Sequence, residues 1–456
     1  MDNTQRPPAN PLGEKPISAL LIQFAIPTIV STLIGSLYNM VDQIFIGQRI
    51  GYLGNAATTV AYPLTILSGA LTLLMSNGAG VNFNLLIGRG RKDEAMVFAG
   101  NGVTLLGIVG LSLAAVVGVF TGFFVRLFGA TEEVAPYALI YMRIIALGLP
   151  FLSLTSGGTL LIRSDGSPRR ALLCSLTGVG VNFLLDWLFL FPLNLGIAGA
   201  ALATILGQLT SALMVLQYLR RFRTAPFARP HFRLSGARVR RIAAIGAAAS
   251  LNQVFMMLMN MVLNHALKHY GDLSVYGGSE ALAAAGVVTK VSFLIYSTII
   301  GCSIGAQPII GFNYGAGKYR RVMETYRLVL YWALFMGAVQ TACFWLIPRQ
   351  ILWLFGGGAA GYEAFALRYM HEFLLLVVLA GVPPISMMVL SGIGQAKKGV
   401  VISMSKQLLL MLLLLILPRL FGIDGVLYAG PTADLTAAVC SFLVLHPVFQ
   451  RLSAAP

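Results

Sequence analysis

Leu37-Tyr38-Asn39-Met40-Val41-Asp42 lies in the first apolar stretch of the chain, and Leu258-Met259-Asn260-Met261-Val262-Leu263 echoes it past the middle. Three more pairs follow in the same order. Ile87-Gly88-Arg89-Gly90-Arg91 is matched by Tyr314-Gly315-Ala316-Gly317-Lys318, and Ser164-Asp165-Gly166-Ser167-Pro168 by Gly392-Ile393-Gly394-Gln395-Ala396. Leu195-Gly196-Ile197-Ala198-Gly199 is matched by Phe421-Gly422-Ile423-Asp424-Gly425. The chain is therefore one unit written twice.

The composition says what solvent that unit lives in. Of 456 residues, 57% are hydrophobic and 11% charged, and the mean hydropathy is +0.80. A soluble chain of this size needs more charge to cover its surface. Apolar stretches of roughly 20 residues, long enough to span a bilayer, recur throughout. We read twelve spans, at roughly 17–46, 54–87, 95–125, 135–162, 170–191, 196–219, 239–267, 281–313, 323–348, 364–391, 399–418 and 424–446. Six per copy is even, so both copies enter the membrane in the same sense, related by an axis along its normal with a path between them. The expected fold is an all-α polytopic membrane protein of two pseudo-symmetric six-helix lobes. The divisions are 1–16 (N-terminal segment), 17–219 (N-lobe), 220–238 (basic linker), 239–448 (C-lobe) and 449–456 (tail). The polar start, Met1–Lys15, lacks a signal-peptide pattern, so the first span is expected to be retained.

The net charge of +16 reads as topology rather than as a nucleic-acid footprint. Cations crowd the even-numbered gaps (Arg89, Arg91, Lys92; Arg163, Arg169, Arg170; Lys318, Arg320, Arg321; Lys397, Lys398) and above all the linker. The positive-inside asymmetry places the linker and both termini in the cytoplasm of a bacterial or archaeal cell. The four cysteines, Cys174, Cys302, Cys343 and Cys440, stand singly in apolar runs, with no metal-ligand or redox spacing.

Acids inside spans carry the functional signal, because an ionised carboxylate costs roughly 2.5–3.5 kcal/mol on insertion scales. Asp42 is in span one and Asp186 in span five. Tyr38 precedes Asp42 by one helical turn, and Asn182 precedes Asp186 likewise, so each acid has a polar neighbour on its own face. The second copy has Leu263 opposite Asp42 and the run Leu408–Leu415 opposite Asp186. Ion-coupling chemistry is therefore expected in the N-lobe alone.

Weaker candidates are Lys290 in span eight and Arg143 in span four, as cations of the path, and Asp434 in span twelve. Met256, Met257, Met259 and Met261 could give adaptable apolar contacts to a substrate. His371 and Glu372 read as interfacial, and Glu324, Arg327 and Lys406 as solvated or paired near span ends. Prolines inside spans, among them Pro27, Pro63, Pro150, Pro308, Pro383 and Pro384, remove backbone donors and can kink their helices.

Two enzyme-like strings occur by chance. Gly301-Cys302-Ser303-Ile304-Gly305 fits a nucleophile elbow but lies inside a span, and Gly356-Gly357-Gly358-Ala359-Ala360-Gly361 fits a dinucleotide string but lacks the βαβ context. There is no phosphate-binding loop for ATP. The chain reads as a secondary transporter with no enzymatic site and no cofactor.

The strings Leu37-Tyr38-Asn39-Met40-Val41-Asp42-Gln43-Ile44-Phe45-Ile46-Gly47, Gly180-Val181-Asn182-Phe183-Leu184-Leu185-Asp186 and Gly305-Ala306-Gln307-Pro308-Ile309-Ile310-Gly311-Phe312-Asn313-Tyr314-Gly315-Ala316-Gly317 resemble the multidrug and toxic compound extrusion (MATE) family, in its DinF/MepA-like branch. The resemblance covers nearly the whole chain. It implies a V-shaped pair of lobes around a central cleft, exporting lipophilic, mostly cationic drugs or toxic amphiphiles in exchange for H⁺ or Na⁺. Asp42, Tyr38, Asn182 and Asp186 fall on the family's N-lobe cation-site residues, and Thr204 on its sixth-helix threonine. Na⁺, if used, would sit at Asp42, Asn182, Asp186 and Thr204. Pro27 matches a first-helix proline implicated in bending. The acids of the family's C-lobe cation site have no match here. A monomer conferring antibiotic resistance from the cytoplasmic membrane is the expected form. The alternative is a flippase or exporter of a lipid-linked or amphipathic anion, which Lys290 and Arg143 would favour if they line the cleft.

Overall fold

The computed structural model describes residues 11–128, 130, 132–354 and 360–454, all helical or connecting, with no strand among them. The helices are α1 (Pro11–Glu14), α2 (Ile17–Ile50), α3 (Tyr52–Gly88), α4 (Lys92–Val119), α5 (Thr121–Leu127), α6 (Ala135–Ser164), α7 (Pro168–Leu190) and α8 (Gly196–Arg220) in the first half. The second half has α9 (Gly236–Asp272), α10 (Gly278–Gly315), α11 (Tyr319–Leu346), α12 (Pro348–Leu354), α13 (Ala360–Arg368), α14 (Val382–Gly392), α15 (Ala396–Phe421) and α16 (Ile423–Ala454). Among the described residues, eleven helices are long and apolar enough to cross a membrane. A twelfth span is broken: Gly361–Phe373 and Val377–Gly392 meet at 54°. The break follows from Pro383 and Pro384, which seat in the first turn of α14 where their missing N–H groups cost nothing, while the chain before them cannot continue a regular helix. Much of the glycine string at 356–361 lies outside the described residues.

The repeat is visible in the backbone. All eight glycines with positive φ among the described residues fall into pairs of equal conformation: Gly51 (83°) with Gly277 (86°), Gly90 with Gly317 (both 74°), Gly166 (80°) with Gly394 (81°), and Gly196 (59°) with Gly422 (60°). Three of these pairs belong to the matched strings of the sequence. The fourth escapes a sequence search because Gly51 directly follows α2, whereas Leu273–Tyr276 intervene between α9 and Gly277. Even the short helix after the third span recurs, α5 and α12 each having seven residues.

Among the described residues, the buried cores shared by the two lobes lie at one end. At the end carrying the linker, buried residues of α1 and the first half of α2 (Leu12–Ala25) form one core with Ile299–Leu452 of the C-lobe, and Val81 and Leu85 of α3 pack with Ile245 and Tyr314. Glycines permit this closeness. A Cβ on Gly78 would collide with the Ile242 carbonyl, one on Gly246 with that of Leu74, and one on Gly88 with that of Phe312. Gly301 and Gly305, the two ends of the elbow-like string, let α10 lie against Ile29 and Ala25 of α2. At the far end each buried cluster belongs to a single lobe: Ala57–Leu149 and Ile46–Ala200 to the first, Leu263–Ala433 to the second. The V thus opens away from the linker.

A buried polar network fastens the closed end. Gln307 Nε2 donates to Asn77 Oδ1, and Asn77 Nδ2 to Ser391 Oγ at 3.2 Å, joining α10, α3 and α14. The turn carbonyls of α1 receive Asn313 Nδ2 (Leu12, 3.0 Å), Lys318 Nζ (Gly13, 2.9 Å) and Arg321 Nη2 (Lys15, 2.6 Å). The linker is tied down by Asp165. Its carboxylate accepts from Tyr218 OH (2.7 Å), Arg223 N (2.7 Å), Thr224 N (2.9 Å) and Thr224 Oγ1 (2.5 Å). Burial pushes this carboxyl above the usual carboxylate range, and the surrounding donors pull it back.

Candidate functional site

Asp42 sits eight residues before the far end of α2, and Asp186 four before that of α7, so both lie in the open half of the molecule. Helix α2 runs unbroken through Pro27, which is buried. Its first half packs on the C-lobe and its second half on α7 and α8, where Phe45 touches Phe183 (5.5 Å between ring centres) and Phe191 (5.6 Å). That packing turns the Tyr38–Asp42 face into the N-lobe.

There the two acids meet. Asp42 is 8% exposed and Asp186 1%, with their carboxyl groups within hydrogen-bonding reach of one another. Asn182 lies beside Asp186, and the Tyr38 hydroxyl beside Thr204. Thr204 Oγ1 also bonds the Ala200 carbonyl at 3.0 Å. All five residues expected of the site converge.

The site is not self-satisfied. Asp42 Oδ1, Asp186 Oδ1 and both amide atoms of Asn182 are buried with no hydrogen-bond partner among the described residues. A buried polar atom left alone costs about 1–3 kcal/mol, and two adjacent carboxylates repel, so the arrangement suits a bound positive charge. Oxygens of carboxylate, amide and hydroxyl type are hard donors that serve a proton or Na⁺. Among the described residues there is no group of three or more His, Cys, Asp or Glu side chains of the kind that holds a transition metal.

Sequence reasoning missed Tyr141 of α6, which packs against the cluster of Ile46, Leu190 and Ala200 within electrostatic reach of both acids. Nothing in its own span signals the role, since the acids it lies near are on two other helices. Gln43, next to Asp42 in sequence, also joins the site, and its Oε1 accepts from Thr58 at 3.2 Å.

The other candidates separate. Arg143 shares an exposed face of α6 with Ile140 and Leu147, away from the acids. Lys290 is exposed on α10, in register with Leu294, Ser297, Gly301 and Gly305. The part of that stripe from Ser297 to Gly305 lies against α2. Neither cation makes an ion pair among the described residues. Met259 packs against the C-lobe core, Met256 is half-buried, and Met261 is exposed. Glu372 is paired with Arg368 (2.6 and 2.8 Å), which also holds Asp424 at 2.7 Å. Lys406 is well inside α15 and bridges to Asp434 of α16 at 2.6 Å.

The model of the MatE family matches residues 27–188 and 248–416, one segment in each lobe. The chain belongs to this family. The multidrug export protein MepA of Staphylococcus haemolyticus is 25% identical over 442 residues, covering 96% of this chain and 94% of that one. The probable multidrug resistance protein YoeA of Bacillus subtilis is 24% identical over 366 residues, with 78% and 77% covered. Among solved structures, an outward-facing multidrug resistance MATE transporter superposes with a TM-score of 0.90 at 21% identity, covering 98% of this chain and 99% of that one. The MATE transporter DinF-BH in complex with R6G gives 0.87 at 28%, with 97% and 98% covered. A Pyrococcus furiosus transporter of the MOP superfamily, whose pocket is described as reversed in polarity and suggestive of a different function, gives 0.89 at 21%, again with 97% and 98% covered. The fold is that of the MATE transporters, and the protein is a multi-pass membrane transporter, not an enzyme.

Proposed function

We propose that this MATE protein exports lipophilic, mostly cationic compounds in exchange for H⁺ or Na⁺, with the ion bound at Tyr38, Asp42, Asn182, Asp186 and Thr204. The observation that supports this most is the pair of buried carboxylates with unpartnered oxygens in the half of the molecule that is open. An ion that binds one conformation better than the other shifts the balance between them; one that binds both equally shifts nothing. Neutralising the pair relieves its repulsion and lets α2 move against α7, with Pro27 as the weak point of α2. The ion's concentration gradient drives a one-for-one exchange of monovalent cations, and where more positive charge enters than leaves, the membrane potential adds about 2.3 kcal/mol per 100 mV for each net elementary charge. The linker and both termini lie in the cytoplasm in this reading, so the cleft opens outward. Efflux of several dyes from a pump-deficient strain, with and without an uncoupler and with and without Na⁺, tests it. Export that collapses with one of the two gradients is expected; export indifferent to both contradicts it.

A second reading, transport of an amphipathic anion, draws on one observation: Lys290 is exposed on the α10 stripe whose other end lies against α2, and it makes no ion pair among the described residues. Cations should then be poor substrates, and Lys290→Ala should improve their export.

A further inference from the structure

The C-lobe carries a charged site of its own. Lys406 Nζ lies 2.6 Å from Asp434 Oδ1, with side chains 21% and 7% exposed, between α15 and α16 in the middle of the lobe. Tyr296 of α10 is the third titratable group at the pair. Next to Lys406 in sequence, Gln407 is buried with an unpartnered Oε1. Packed apolar residues would serve stability at least as well as an ion pair in this setting, and ionisable groups at membrane depth usually mark a working site.

The repeat says what kind of site. The paired glycines make α15 and α16 the counterparts of α7 and α8, the helices that bring Asp186 and Thr204 to the N-lobe site. In that register Leu414 stands in the place of Asp186 and Gly430 in that of Thr204. Lys406 is two turns before Leu414 and Asp434 one turn after Gly430, and both displacements run toward the linker end. The same helix pair thus holds an acid in each lobe. In the N-lobe the acids have oxygens with neither a hydrogen bond nor an ion pair among the described residues; in the C-lobe Asp434 Oδ1, which also lacks a hydrogen bond of regular geometry, lies 2.6 Å from the Lys406 ammonium.

We propose that Lys406 is a tethered cation occupying a C-lobe cation site on Asp434, the counterpart of the N-lobe site, whose free ligand would be Na⁺ or a small primary ammonium ion. The lobe is then electrically complete in itself, which leaves ion exchange to its partner. The comparison with the N-lobe rests on the function proposed above; the occupancy of Asp434 does not.

The test uses the full chain in detergent with Asp42→Asn and Asp186→Asn built in, so that the N-lobe contributes no ion response. Lys406→Ala should lower Tm, and ethylammonium or Na⁺ should restore about half of the loss or more, because a ligand that binds only the folded state raises stability with its concentration. N-methylglucamine at equal ionic strength should not. Adding Asp434→Ala should abolish the rescue. Should Lys406→Ala fail to fold, Lys406→Gln keeps a donor on Asp434 and should give the same order of cations. Equal rescue by all three cations, no rescue by any, or rescue that persists without Asp434 overturns the proposal.

Discussion

The two lobes share their turns to within a few degrees of φ yet differ in what fills equivalent places. Where the N-lobe brings Asp42 of α2 to Asp186 of α7, the C-lobe brings Leu263 of α9 and Leu414 of α15 into one apolar core, 6% and 2% exposed. One scaffold thus carries two kinds of interior. The first tolerates unsatisfied oxygens, which is expensive and makes sense only if something binds them. The second is apolar and packed at the equivalent place. The difference suggests a division of labour, with one lobe changing shape with its ion and the other acting as the opposing wall.

The largest effects should come from breaking that asymmetry. Asp42→Asn or Asp186→Asn should abolish coupled export in a resistance assay while expression and Tm stay near wild type. Leu414→Ala should do the reverse, costing about 2–5 kcal/mol as a buried leucine does, with coupling retained in whatever fraction stays folded. A smaller effect is expected at the closed end. Gly246→Ala, whose methyl has no room against the Leu74 carbonyl, should disfavour the far-end-open form and raise thiol accessibility at the linker end. Asp165→Ala should leave the Arg223 and Thr224 amides without their acceptor, cost about 1–3 kcal/mol and speed proteolysis of the linker. The smallest perturbation reads orientation. A single cysteine at Gly236, where a side chain meets open space, should resist an impermeant thiol reagent applied outside intact cells, in a background without the native cysteines.

Much of this architecture was legible in the residues. Bilayer thickness forces long apolar runs, so most spans came out within a few residues of the helices, and glycine turns betrayed the repeat. Span three ran six residues past α4, and span twelve stopped eight short of the end of α16. The acid pair was legible too, because a carboxylate in an apolar span stands out and a tyrosine or asparagine one turn away shares its face. What could not be read is what crosses between helices distant in sequence. Tyr141 gives no sign of the acids it lies near. Lys406 looked like a span-end cation until α16 brought Asp434 to it. The first half of α2 belongs by order to the N-lobe, but Leu12–Ala25 pack with the C-lobe, and periodicity says which face is buried, not against whom. The prolines of span ten announced a distortion without fixing whether it would be a kink or the 54° break.

The most direct measurement is counter-ion exchange in proteoliposomes: drug uptake driven by an imposed pH or Na⁺ gradient, compared for wild type, Asp42→Asn, Asp186→Asn, and the C-lobe variant Lys406→Met/Asp434→Leu. Gradient-driven uptake should vanish in both N-lobe variants and persist in the C-lobe one. Uptake that survives in the N-lobe variants, and is lost when the C-lobe pair is removed, would mean that the energy-converting site lies in the other lobe.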